Sequence, residues 1–385
     1  MTAGIEHGDG ERRAIRLASF FQRDLDDGAG RREGDGHGGS RFLAIRGTTM
    51  GQYHARSRSP MRCARFRVTA SRASVASRQT EIGAGMRKPD RDNPVGIIGL
   101  GLTGGAIGRN LVAAGWRVIG HDIDAARRGE AEAAGIEIAQ AAAKLAERAP
   151  NILVSLPDPQ ALHATVAEIA AAKLPRRILA EMSTFALSDK IEAEQALRAA
   201  GHVLLDCPIS GTGAQAKVKD LVIYASGERA SVAALEPIFA AFSRQAHDLG
   251  AFGNGTKMKF VANLLVAIHN VASAEAFVLG IKAGLDPKKI FELISAGAGT
   301  SRVFELRGPM MAENRYDGDN VTMRVKTWQK DMTVIGDFAR ELACPTPLFS
   351  ATGPIYAAAM ANGHGGDDTA SVCAVLEAMA GIRRQ

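Results

Sequence analysis

Residues 94–122 read PVGIIGLGLTGGAIGRNLVAAGWRVIGHD. A β-branched run at 95–98 passes directly into Gly99-Leu100-Gly101-Leu102-Thr103-Gly104, and the Ala-rich stretch at 106–114 has helical composition. A second β-rich run, 117–121, ends on Asp122. Strand, glycine turn, helix and strand in that order predict a βαβ unit. In such a unit Gly99 permits the tight turn, Gly101 lets a pyrophosphate approach the backbone, and Gly104 permits close packing of helix on strand. The helix start adds free N–H groups and the positive end of its dipole. Gly99, Leu100, Gly101, Leu102, Thr103 and Gly104 are therefore the expected dinucleotide contacts. Asp122 stands 18 residues beyond Gly104, near the spacing of a carboxylate that accepts both ribose hydroxyls of NAD. Asp124 suits the N-cap of the next helix instead. Arg127 and Arg128 keep NADP as the alternative cofactor.

Outward from this unit the pattern repeats. Strands are expected at 152–156, 177–181, 203–205 and 221–225, and helices begin near Gly104, Asp124, Pro159, Leu187 and Ala230. Beyond Gly255 no strand pattern appears. Helices are expected at 256–283, 287–295, 301–314, 322–342, 347–361 and 367–381. The predicted fold is α/β: a doubly wound, Rossmann-type domain over residues 94–254, then an all-helical domain over 255–385.

Composition narrows the function. The chain has 385 residues and a formal charge of +6, but residues 1–85 carry 15 Arg against nine acidic residues and account for all of it. The remainder is balanced, so no nucleic-acid partner is expected. Residues 1–93 are rich in Arg, Gly and Ser with no sustained apolar period, and are read as a disordered leader. Residues 41–80, with nine Arg and no acid, resemble a transit peptide. The preferred reading is a start annotated upstream of Met86, which is followed within ten residues by the first strand. Cys63, Cys207, Cys344 and Cys373 form no C-x-x-C pair and no zinc spacing, so no metal and a reduced, cytoplasmic compartment are expected. The longest apolar stretch, 258–281, is interrupted by Lys259, Asn263, His269, Asn270 and Glu275, which argues against a membrane span.

That stretch also carries the chemistry. Lys259 and Asn263 stand four apart and share a helix face, Asn270 falls on the same face, and Lys257 points away. Burying such a polar stripe without a ligand is costly; the alternative is a solvated helix lysine. A lysine serves as a base near neutral pH when burial lowers its pKa, and the neutral Asn263 beside it suits that. Ser210-Gly211 follows a strand, where hydroxyl and N–H groups can bind an anion.

Four segments in order resemble the β-hydroxyacid dehydrogenase family across residues 95–380: Gly96-Ile97-Ile98-Gly99-Leu100-Gly101, Asp206-Cys207-Pro208-Ile209-Ser210-Gly211, Gly253-x-Gly255-x-x-x-Lys259-x-x-x-Asn263, and Lys330-Asp331. The resemblance implies oxidation of a small 3-hydroxy acid, 3-hydroxyisobutyrate-like or sugar-acid-like, with NAD. It implies that Ser210 and the backbone of Gly211 and Thr212 hold the substrate carboxylate. Lys259 would be the general acid/base, and Asn263 would orient hydroxyl and carboxylate. Leu156, Pro157, Ser183 and Thr184 would contact the cofactor, and Lys330 would reach its nicotinamide end. Three positions depart from the family pattern: Thr212 replaces a usual second Gly, Ala262 a usual Asn and Thr103 a usual Met. The rival expectations are an imine reductase-like enzyme, which usually lacks the lysine, and a catalytically silent NAD-binding protein. The nearly all-round apolar helix at 256–283 predicts a homodimer or homotetramer.

Overall fold

The computed structural model describes residues 93–318 and 321–384, so the expected leader lies outside the described residues. Strands β1 (Val95–Ile98), β2 (Val118–His121), β3 (Glu137–Ile138), β4 (Asn151–Val154), β5 (Ile178–Glu181) and β6 (Val203–Asp206) form one parallel sheet. Their spatial order is β3-β2-β1-β4-β5-β6, which reverses direction between β1 and β4. Both faces are covered. Helices α1 (Leu102–Ala113), α2 (Ala125–Ala133) and, beyond β6, α7 (Arg229–Phe242) bury one face through Ile107, Leu111, Ala131 and Leu235. Helices α3 (Ala142–Arg148), α4 (Pro159–Ala171) and α5 (Leu187–Ala199) bury the other through Leu145, Leu162, Val166 and Leu197. Asp124 caps α2 as expected, its carboxylate accepting from Ala126 N at 2.8 Å.

One strand assignment is corrected. The run at 221–225 does not complete the main sheet: it is β8 (Val222–Ala225), centre of a second, three-stranded sheet between β7 (Ile209–Ser210) and β9 (Gln245–Asp248). Here β7 pairs antiparallel with β8, and β9 parallel to it. The sixth place in the main sheet belongs to β3, whose two residues are too few to show a period. Short helices α3 and α6 (Gly213–Lys217) were likewise not expected.

The remaining helices pack around α8 (Asn254–Lys282): α9 (Pro287–Ser295), α10 (Arg302–Glu313), α11 (Val325–Glu341), α12 (Pro347–Ala361) and α13 (Val372–Met379). Their shared core joins Phe260, Val271 and Phe277 of α8 to Phe304, Trp328 and Tyr356. By length and composition α8 could cross a bilayer. Here it is the hub of a helical layer and buries Lys259, Asn263 and Asn270. Two expected helices begin late because of Asp368. Its Oδ2 accepts from Thr322 N and Oγ1 at 2.7 and 2.8 Å, which delays α11 to Val325. Asp368 also caps the 3-10 turn Thr369–Ser371, so 367–381 is a turn followed by α13.

Candidate active site

All six parallel strands end on one side, and the loops after β1, β4 and β5 meet where the strand order reverses, the usual ligand crevice of such sheets. Gly99 sits at φ +91°, and a Cβ there would lie 2.0 Å from Ser155 O. A Cβ on Gly104 would lie 1.9 Å from Gly99 O. Both glycines are demanded by the fold itself. Gly101 is different: a Cβ there would meet nothing nearer than Arg127 Nη1 at 3.5 Å. It opens a cradle at the start of α1, whose N-cap contributes no side-chain bond, with Leu102 and Thr103 as its first residues. That arrangement fits a pyrophosphate.

Asp122, 6 % exposed, holds the loop in shape. Its Oδ2 accepts from Leu100 N at 2.7 Å and its Oδ1 from Asp124 N at 2.9 Å. A carboxylate has about four acceptor sites, so capacity for ribose hydroxyls remains. Half-exposed Arg127 stands 3.6 Å from Oδ2, whereas Arg128 is spent on the carbonyls of Asp122 and Ile123. After β4 and β5, Leu156 N donates to Ser183 Oγ at 2.9 Å and Ser183 N to Glu181 Oε1 at 2.8 Å; exposed Pro157 follows Leu156. Lys330 on α11 donates to Thr184 O at 2.5 Å, with its Nζ 5.1 Å from the Phe185 ring centre.

The start of α8 explains the Gly-x-Gly before the lysine. Gly253 adopts φ +90°, and a Cβ on Gly255 would lie 2.3 Å from Tyr224 O. The helix therefore starts hard against β8. Its first N–H groups are met by buried side chains: Gly255 N donates to Ser226 Oγ at 3.0 Å and Thr256 N to Asp206 Oδ2 at 2.7 Å. Asp206 also accepts from Thr256 Oγ1 at 2.7 Å and from Lys190 Nζ at 2.8 Å, and Lys190 lies 2.7 Å from Glu181.

One turn on, Lys259 reaches a cavity of about 610 Å³ that is also lined by Ser210, Gly211, Thr212 and Asn263. Among the described residues Lys259 has no hydrogen-bond or ion-pair partner. Burial pulls its pKa down to about 8; Asp331 opposes the fall, and Lys330 and Lys190 add to it. Asn263 donates to Asp331 Oδ2 at 2.9 Å, and Lys330 Nζ is 3.3 Å from the other oxygen. A chain of contacts thus runs from the β5 loop through Lys330 and Asp331 to Asn263.

Two expectations change. Asn270 does not join the cleft, because its Nδ2 donates to Tyr356 Oη at 3.0 Å and Thr369 O at 2.8 Å inside the helical core. The Thr212 N–H is already taken by Gln215 Oε1 at 3.1 Å. The sequence gives no signal for Lys190, which looks like a solvated lysine in an Ala- and Glu-rich helix yet is fully buried. Glu181 and Asp206 carry a weak one, an acid closing an apolar strand.

Comparison with known proteins follows this geometry. Residues 94–252 match the family described as the NAD-binding domain of 6-phosphogluconate dehydrogenase, and residues 253–376 that of NADP-dependent 3-hydroxyisobutyrate dehydrogenase. L-threonate dehydrogenase of Cupriavidus necator is 30% identical over 288 residues, 73% of this chain and 95% of that protein. The chain belongs to the β-hydroxyacid dehydrogenase family. Mitochondrial 3-hydroxyisobutyrate dehydrogenase of Rattus norvegicus is 28% identical over 72% of this chain and 85% of its own. The crystal structure of 3-hydroxyisobutyrate dehydrogenase from Salmonella typhimurium superposes with TM-score 0.67 at 26% identity, covering 74% of this chain and all of the other. In this β-hydroxyacid dehydrogenase the departures Thr212 and Ala262 both line the cavity, whereas Thr103 lies in the first turn of α1.

Proposed function

We propose that the chain is an NAD-dependent dehydrogenase that interconverts a small 3-hydroxy acid and its 3-oxo acid, with Lys259 exchanging the hydroxyl proton. The observation that carries the lysine's role is its burial without a partner beside the cavity, with a pKa near 8. The Gly99–Gly104 loop would hold the cofactor pyrophosphate and Asp122 the adenosine ribose, Leu156, Pro157, Ser183 and Thr184 would make further cofactor contacts, and Lys330 would reach the nicotinamide end. When bound, the nicotinamide accepts hydride from the carbinol carbon. Ser210 and Gly211 anchor the substrate carboxylate, and neutral Lys259 takes the proton from the hydroxyl. Asp122 favours NAD, and Arg127 beside it leaves room for NADP.

We assign the cofactor region to residues 94–254 and the helical region to 255–385; the start of α8 at Asn254 supports that division. On α8, Met258, Val261 and Leu265, which also border the cavity, and Leu279 are exposed, which supports burial of this helix against a second copy in a homodimer or homotetramer. Free Cys207, Cys344 and Cys373 support a reduced, cytoplasmic setting. Initial rates with NAD and NADP over 3-hydroxyisobutyrate, L-threonate, glycerate and cyclic imines test the reading. NAD-linked turnover of at least one hydroxy acid is expected; turnover of imines alone, or of nothing, would overturn it.

A further inference from the structure

We infer that Asp331 is a positioning residue that fixes Asn263 with its carbonyl oxygen toward the cleft, so that α8 receives the substrate hydroxyl and the opposite wall its carboxylate. This rests on the dehydrogenase reading and assigns the substrate an orientation within it. An amide end is usually ambiguous because oxygen and nitrogen fit alike. Here chemistry decides, because a carboxylate only accepts hydrogen bonds, so the atom 2.9 Å from Asp331 Oδ2 is the Asn263 NH₂. Asp331 is 6 % exposed and Asn263 4 %, so neither exchanges this bond freely for water. Lys330 stands 3.3 Å from the second Asp331 oxygen.

With its nitrogen committed to α11, Asn263 offers the cavity an acceptor one turn from Lys259. An acceptor there welcomes a C3 hydroxyl or the Lys259 ammonium and repels a carboxylate. That agrees with the carboxylate site that family resemblance implies across the cavity at Ser210 and Gly211, on the β7–α6 side. This narrows the role that family resemblance gives Asn263, from orienting hydroxyl and carboxylate to orienting the hydroxyl alone. Asp331 has a second effect, because its charge favours the ammonium form of Lys259 against Lys330 on its own helix and Lys190 from α5.

The test exchanges the two side chains. Asp331→Asn, Asn263→Asp and the double variant Asn263→Asp/Asp331→Asn are assayed from pH 6 to 10 with the best substrate of the wild type, and NADH affinity is titrated on each. Asn263→Asp sets two carboxylates against each other and should lower kcat/KM by about 100-fold. The double variant restores one carboxylate facing one amide, with an oxygen still toward the cleft, and should recover about tenfold or more of that loss at its own optimum, which moves to higher pH because a carboxylate at 263 favours the Lys259 ammonium. In Asp331→Asn the acid limb of the oxidation profile should move down by about one pH unit with NADH affinity unchanged. If a single variant fails to fold, the double variant against wild type carries the comparison. A double variant no better than Asn263→Asp, or one below a hundredth of wild type where that single variant is unfolded, would overturn the inference. So would an acid limb that stays in place in folded Asp331→Asn. A wild type without turnover would remove the dehydrogenase reading and this inference together, whereas wild-type turnover with unmoved variants removes the inference alone.

Discussion

Two buried lysines show how the surroundings decide what a side chain can do. Lys190 lies between Glu181 and Asp206, and although burial disfavours its charge, the two carboxylates hold its pKa above the ordinary range. It stays an ammonium, and deleting it would strand two buried carboxylates at a cost of about 3–5 kcal/mol. Lys259 has burial without such partners, and its pKa falls to about 8. With the neutral amine as the proposed base, alcohol oxidation should rise with pH through that value; reduction would need the ammonium and should fall. Glycines differ in the same way. Gly104→Ala drives a Cβ into the Gly99 carbonyl and should cost about 1–3 kcal/mol of stability. Gly101→Ala meets only ordinary contact with the Arg127 side chain, so the melting temperature should hold while NADH binding weakens about tenfold, or about 1.4 kcal/mol. Thermal melts and NADH titrations of both variants check this, and a Gly101→Ala that binds NADH like wild type would contradict the cradle.

At the scale of elements, the sequence was legible where period and punctuation agree. The glycine turn between β1 and α1, Asp124 before α2, and the Pro starts of α4, α9 and α12 all stand where expected. Legibility failed for elements that exist only through their neighbours. β3 has two residues, and β9 is polar and exposed along its length, so neither has a period to read. β8 has a readable pattern, but its sheet is set by β7, which pairs antiparallel with it just after Pro208. The polar stripe on α8 is buried as its spacing implies, but Lys259 and Asn263 border the cavity whereas Asn270 lies in the helical core. Helical spacing gives a side chain's direction and not what stands opposite: Asn270 faces Tyr356. The partners that shape the site, Lys190 and Asp331, come from α5 and α11, far away in sequence.

At the scale of the molecule, a parallel sheet supplies the cofactor crevice and α8, rooted between β6 and β8, carries Lys259 to its edge. Asp206 joins the two, ending β6 and capping α8. The proposed packing of α8's exposed apolar residues against a second copy predicts that light scattering gives at least twice the 40.6 kDa chain mass. A monomer mass would remove that assignment. The central claim is that Lys259 moves the proton. Its most direct test is kcat/KM for the best 3-hydroxy acid with NAD, wild type against Lys259→Ala, with NADH affinity measured on the same preparations. A loss of about 10²–10⁴-fold at unchanged NADH affinity is the predicted result; Lys259→Ala turning over within about fivefold of wild type would contradict it.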